Sequence, residues 1–264
     1  MISGTSYLVK RLLALLVISS YSFLAFGQQS TLDVPDSVIN RDSTKQIKLL
    51  IVPFNPAMYF SDADKDIGEI TNVEPKEVRN RVNSSLESTV SEELNLYYEA
   101  KSLSKQKDAL DDLDLIYGSI DYAPTEIVEP ETEKKPALKG FKDRLNPKED
   151  DPNQEKDPET YMDIAFADGR LMEYITSKYE VDYVIFFNQF EIRTDYKNCI
   201  DLQLRQYYRE IKVHYTVLSK DGKKISGDVI SIPYHSNENN LSVIVQENFG
   251  QISNQLLDRI YLKK

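Results

Sequence analysis

Residues 46–54 read QIKLLIVPF, an almost unbroken apolar run that ends at Pro53 and Phe54. A strand that is buried on both faces has this composition and usually lies at the centre of a sheet. Residues 182–192 open with a second continuous apolar run, at 183–187. This run predicts a second central strand.

A hairpin follows the second central strand. Residues 207–218 alternate apolar and polar side chains, and 224–232 continue the pattern after the turn-forming pair Asp221-Gly222. These two stretches predict an antiparallel pair. Residues 161–166 also alternate, and they predict either a short strand or the lead-in to a helix.

Four stretches have the spacing of amphipathic helices. In residues 74–97 apolar side chains recur every three or four positions, which predicts one buried stripe and charged solvent faces that include Glu87. Helices are also predicted at 105–117, at 168–179 after an Asp168 cap, and at 239–262.

These elements predict an α/β (α+β) protein with one mixed sheet of four to five strands. Helices separate the first two main strands, so a crossover makes them parallel neighbours. The last three strands follow one another directly and become antiparallel. The amphipathic helices then pack on the sheet.

The N-terminus has the pattern of a secretory signal peptide at residues 1–27. Two basic residues precede an apolar run at 12–24, which ends in Ala25-Phe26-Gly27. The alternative is a membrane anchor, which needs about 20 apolar residues. The run is shorter than that, and no Cys lies near its end for lipid attachment. We therefore expect a periplasmic or secreted protein with no transmembrane span after cleavage.

The rest of the chain predicts a flexible leader at 28–45 and a single α/β domain at 46–264. Residues 121–160 interrupt the domain with six of the eleven prolines, twelve acidic and seven basic residues. Such a stretch buries too little apolar surface to offset the entropy lost on ordering. It predicts a mobile insertion, or alternatively a segment that orders on a partner.

Composition excludes several classes of function. The 264 residues include 32 Lys and Arg against 43 Asp and Glu, a net charge of −11, and an acidic surface disfavours nucleic acid. One Cys excludes an internal disulfide framework and a four-Cys zinc site. The two His leave little material for a catalytic triad. The sequence also lacks a glycine-rich phosphate loop, so we expect no cofactor and no catalytic residues.

An acidic stretch at 61–69 is the candidate metal site. Asp62, Asp64 and Asp66 alternate, and carboxylates spaced in this way can wrap a calcium ion. The calcium loop of a helix-loop-helix site needs Glu at its twelfth position, where this chain has Val73. We interpret the stretch as a solvated acidic loop, with calcium binding as the alternative.

The other reactive side chains are interpreted as packing residues. His214 lies on the strand face opposite the apolar one, and His235 follows the last strand. Cys199 has no His beside it to act as a base. The tyrosine pairs 97–98 and 207–208 each predict one ring in the core and the other at the surface.

Three short segments resemble a known group of proteins. They are Ile51-Val52-Pro53-Phe54, the strand at 181–187 and the turn Asp221-Gly222-Lys223. With their flanking helices they resemble the α/β domain of the curli secretion-channel family, the TolB amino-terminal domain and the penicillin-binding-protein activator lipoproteins. The resemblance covers 46–95 and 168–264. It implies an envelope protein that binds other proteins without catalysing a reaction.

The leading hypothesis is therefore an exported, non-enzymatic cell-envelope protein with a protein-binding or assembly role. One alternative is an exported small-ligand or calcium-binding protein that uses residues 61–69. A further alternative is a hydrolase of unrecognised type, for which a deep pocket holding acids of raised pKa would be the sign.

Overall fold

The residues described in this computed structural model are 47–127, 160–166, 169–201, 203, 206–260 and 262, and they form both strands and helices. In chain order the elements are β1 (Lys48–Val52), β2 (Tyr59–Ser61), α1 (Asp64–Thr71), α2 (Pro75–Leu94), β3 (Glu99–Ser102), α3 (Ala109–Ser119), β4 (Ile120–Glu126), β5 (Thr160–Phe166), α4 (Arg170–Tyr179), β6 (Tyr183–Asp201), β7 (Gln206–Ser219), β8 (Lys224–His235) and α5 (Leu241–Arg259).

The two continuous apolar runs pair with each other at the centre of a mixed sheet. The strand order is β3-β1-β6-β7-β8, and β2 pairs with β6 beyond the end of β1. β1 is parallel to both neighbours, with Leu49 opposite Tyr183 and Val52 opposite Phe186. β6, β7 and β8 are antiparallel. The predicted fold class is confirmed, and the short strands β2 and β3 extend the sheet to six strands.

Helices cover both faces of the sheet. Leu49 and Ile51 pack with the apolar stripes of α2 and α5, whereas Leu50 and Val52 pack with α3 and α4. Successive side chains of a strand point to opposite faces, so one run of residues fills two layers of core. None of the described helices is long and apolar enough to span a membrane.

A second, two-stranded sheet formed by β4 and β5 lies against β6, β7 and β8. Ile120 pairs with Phe166 and Glu126 with Thr160. The Met162 N–H donates to Nδ1 of His214 at 2.8 Å, and Asn188 Nδ2 donates to the Met162 carbonyl at 2.8 Å. These bonds tie β5 to the main sheet.

Several sequence expectations differ from the structure or lie outside its described part. The stretch 161–166 is a strand, the first of its two predicted alternatives. β4 occupies the start of the predicted insertion, and residues 128–159 of that insertion lie outside the described residues. So do the predicted signal peptide, the leader and the Asp168 cap. The stretch 61–69, interpreted from sequence as a solvated acidic loop, instead contains the end of β2 and most of α1.

The β7–β8 turn depends on one glycine. Gly222 has φ of +73°, where a side chain is strained, so we expect Gly222→Ala to lower the free energy of unfolding by about 1 kcal/mol. Gly250 lies inside α5, and apart from its chain neighbours and the backbone of its own helix no described atom lies within 4 Å of an added Cβ. Gly250→Ala should therefore raise that free energy by about 0.5–1 kcal/mol. Urea unfolding measures both changes in the free energy of unfolding, which should have opposite signs. A lower free energy of unfolding in both variants would contradict this interpretation.

Candidate functional site

The candidate site is a cavity of about 590 Å³ between α2 and α3, at the carboxyl ends of β1 and β3. We call it the crevice. After β1 the chain passes through β2 and α1 to α2 on one face of the sheet, and after β3 it passes to α3 on the other face. The two segments diverge and leave a gap, which is where open α/β sheets bind ligands.

Glu87 of α2 forms the buried polar part of the crevice. It is 3% exposed, and its carboxylate accepts the Ser104 backbone N–H at 3.2 Å and the Ser104 hydroxyl. Burial raises the pKa of Glu87, and hydrogen bonds and Lys105 oppose the rise only in part. Glu87 was predicted on a solvent face of α2. That prediction is wrong, because the connection from β3 to α3 covers this face.

The opposite wall of the crevice is apolar and open. Leu110, Leu113 and Tyr117 of α3 line it, and Leu110 is 79% exposed. The Tyr117 hydroxyl donates to the Pro53 carbonyl at 2.9 Å, which fixes α3 to the loop after β1. Burial raises the pKa of Tyr117, so the hydroxyl stays protonated. The wall can therefore hold an apolar group against a rigid support.

Asn83 also lines the crevice and has one acceptor atom without a described donor. Its Nδ2 donates to the Phe54 carbonyl at 3.2 Å, whereas its Oδ1 is buried without a partner among the described residues. Within the described part of the chain, the charged lining residues of the crevice are Glu87 and Asp114, and no Lys, Arg or His lines it. The crevice thus combines apolar walls with acidic and acceptor groups.

Comparison of the sequence with protein-family models and with curated proteins finds no match in either case. The resemblance to the curli secretion-channel, TolB and penicillin-binding-protein activator families stays a prediction. The chemistry of the site therefore has to be derived from its own residues.

A larger hollow of about 950 Å³ lies along β8, but its two basic lining residues, Lys224 and Arg259, are already paired with carboxylates. Arg259 Nη1 lies 2.8 Å from an Asp228 oxygen and also donates to the Val229 carbonyl at 2.7 Å. Lys224 Nζ lies 2.5 Å from an Asp163 oxygen. Covering a strand carbonyl with a charged side chain protects an edge from further pairing. This hollow is therefore the weaker candidate.

The three predicted calcium ligands are each held by a protein donor. The pairs are Asp62 with the Thr194 N–H (3.0 Å), Asp64 with the Tyr59 hydroxyl (2.6 Å), and Asp66 with the Arg209 guanidinium. Among the described residues, no three His, Cys, Asp or Glu side chains are grouped so that they could hold a metal ion. In this structure the acidic stretch anchors α1 to β2, β6 and β7.

The remaining predicted packing residues lie apart from the crevice. His214 is 6% exposed and accepts a hydrogen bond from β5. The His235 ring lies 5.2 Å from that of Tyr208, which is 46% exposed. Cys199 donates from Sγ to the Gln206 carbonyl at 3.3 Å. The structure does not bring these residues together.

Sequence reasoning also missed a buried carboxylate that joins α3 to α4. Asp112 is 2% exposed and accepts from Lys178 Nζ at 2.7 Å, from the Tyr174 hydroxyl at 3.0 Å and from the Tyr179 hydroxyl. Burial acts to raise the pKa of Asp112, but these hydrogen bonds outweigh it and lower the pKa. Its partners are more than 60 residues away in the chain, so no local pattern marks the cluster.

Proposed function

We propose that this protein is an exported, non-enzymatic protein of the cell envelope that binds a partner protein through the crevice. The observation that carries the proposal is the exposed apolar wall at the carboxyl ends of β1 and β3. A single exposed leucine is ordinary on a protein surface. Leu110 differs because it borders a cavity in which α3 already contributes the apolar side chain of Leu113 and the ring of Tyr117.

The bonding of Glu87 supports a binding role over a catalytic one. A general acid or base has to reach the reacting atoms of a substrate. Both Glu87 oxygens instead accept hydrogen bonds from Ser104, which hold the connection between β3 and α3 in place. The raised pKa of Glu87 follows from its burial in that structural role.

Export is supported by the N-terminal sequence. Basic residues, an apolar run and a small-residue end make up the signal-peptide pattern at residues 1–27. The resemblance to envelope protein families points to the same compartment and to a role in binding proteins. The lower-ranked alternatives, calcium binding and hydrolysis, have no comparable support among the described side chains.

Loss of the apolar wall should reduce partner capture. We expect Leu110→Gln to lower the amount of a specific partner recovered from envelope extracts by about tenfold, because the exposed leucine supplies apolar contact area. Gln is a strong helix former, so α3 should stay intact. The measurement is affinity capture with the purified protein, followed by quantitative mass spectrometry.

Leu115→Gln is the matched control. Leu115 lies on the same helix and is 47% exposed, but it does not line the crevice. We expect Leu115→Gln to capture the partner as the unchanged protein does. Equal capture by both variants and the unchanged protein would sink the assignment of the binding site to the crevice.

A further inference from the structure

We propose that the partner segment entering the crevice presents a lysine or arginine next to an apolar side chain. This inference rests on the proposed function, because it names the chemistry of the partner at that same site. It follows from the charge of the crevice, the unused acceptor capacity inside it, and the apolar wall beside its acids.

The charge of the crevice selects for a cation. Among the described residues, its charged lining residues are Glu87 and the exposed Asp114, whereas Lys105 acts on Glu87 without lining the crevice. The whole chain carries a formal charge of −11, so its long-range field also favours basic partners. An acidic segment would meet repulsion at the mouth of the crevice.

The buried acceptors have room for another donor. Each carboxylate oxygen offers about two acceptor positions, and Ser104 donates once to each oxygen of Glu87. Asn83 Oδ1 has no donor in the described part of the chain. Burial raises the pKa of Glu87, although hydrogen bonds and Lys105 oppose the rise in part, so a further cation from the partner would favour the ionised carboxylate.

The geometry also fits the body of a long basic side chain. Lysine and arginine keep an apolar stem against apolar surface while the charged head stays near polar groups. In the crevice, Leu110 and Leu113 offer the apolar surface and Asp114 lies one position from Leu113 on the same helix. An apolar neighbour in the partner segment would cover the rest of the α3 wall.

Three small probes with one apolar body and different heads test this inference. Hexylammonium, hexanol and hexanoate should be titrated separately into the 15N-labelled protein, with amide shifts followed by NMR. We expect hexylammonium to shift the amides of Ser104, Leu110 and Leu113 and to bind about fivefold more tightly than hexanol. Hexanoate should bind more weakly than hexanol.

Two variants with one matched control show which carboxylate causes the preference for a cationic probe. Glu87→Gln and Asp114→Asn should each reduce the preference for hexylammonium over hexanol to about twofold or less. Asp111→Asn removes an exposed charge from the same helix away from the crevice and should leave the preference unchanged. If Glu87→Gln fails to fold, Asp114→Asn alone decides the result.

The outcomes separate this inference from the proposed function. Equal binding of all three probes in the crevice overturns the requirement for a cation and leaves the crevice as an apolar binding site. Absence of hexylammonium shifts in the crevice also overturns the inference. Whether a partner docks there is decided independently by capture with Leu110→Gln.

Discussion

Phe190→Ala should lower the free energy of unfolding by about 3–5 kcal/mol, the largest loss that we expect from a single substitution in this protein. Phe190 lies on β6 and is 0% exposed. Its ring is 5.5 Å from that of Phe54, 5.6 Å from that of Tyr59 and 6.2 Å from that of Phe249. The substitution would leave a cavity where β6, β2, α5 and the loop after β1 meet.

Phe60→Ala is the control for this prediction. Phe60 lies on β2, next to Tyr59, but it is 40% exposed, and the Arg193 guanidinium lies 5.8 Å from its ring centre. We expect a loss of about 1 kcal/mol or less. Urea unfolding monitored by far-UV circular dichroism measures both. Similar losses in the two variants would show that the aromatic cluster does not hold these elements together.

The central strands could be predicted because a strand that is buried on both faces has a continuous apolar sequence. Residues 49–52 and 184–187 are 0–2% exposed, and both stretches are continuous apolar runs. β3 has no continuous apolar run. Its residues Glu99–Ser102 have one hydrophobic side chain, Ala100, and they form a strand because β1 offers a free edge. Whether such a stretch forms a strand depends on pairing with a strand elsewhere in the chain, and the local sequence does not contain that information.

The crevice could not be predicted for a related reason. Its walls come from the loop after β1, from α2, from the turn after β3 and from α3, and these meet only once the sheet has formed. Glu87 directly follows Leu86 of the buried stripe of α2. The one sequence signal for the burial of Glu87 was its position at the border of that stripe, because another segment packed beside the stripe would cover it.

Glu191→Gln should remove the largest part of the free energy of unfolding that is lost when the pH falls. Glu191 accepts from Arg193 Nε at 2.7 Å and from the Gln189 amide, and its Oε1 lies 3.5 Å from His214 Nε2. His214, and then Arg193, lower the pKa of Glu191 to about 2, although burial opposes the shift. A lowered pKa means that the ionised carboxylate stabilises the folded state.

The sign of the pH dependence follows from that pKa. In the unfolded chain the glutamate carboxyl has a pKa of about 4.3. The stabilisation by Glu191 is therefore present above this pH and is lost as the pH falls toward 2. Between about pH 6 and about pH 3 the contribution should fall by about 2 kcal/mol. The Glu191→Gln variant should be less stable than the unchanged protein at neutral pH, and the difference should shrink on acidification.

Urea unfolding at a series of pH values, with Glu210→Gln as the matched control, measures this effect. Glu210 lies on the neighbouring strand β7, and its side chain is 41% exposed beside Lys212 at 3.3 Å. Solvent screens such a pair, so the stability of Glu210→Gln should follow that of the unchanged protein at every pH. A constant difference between Glu191→Gln and the unchanged protein from neutral to acid pH would show that packing, and not ionisation, makes Glu191 important. Convergence of the two at acid pH would instead show that the charge of Glu191, held by His214 and Arg193, stabilises the pairing of β6 with β7.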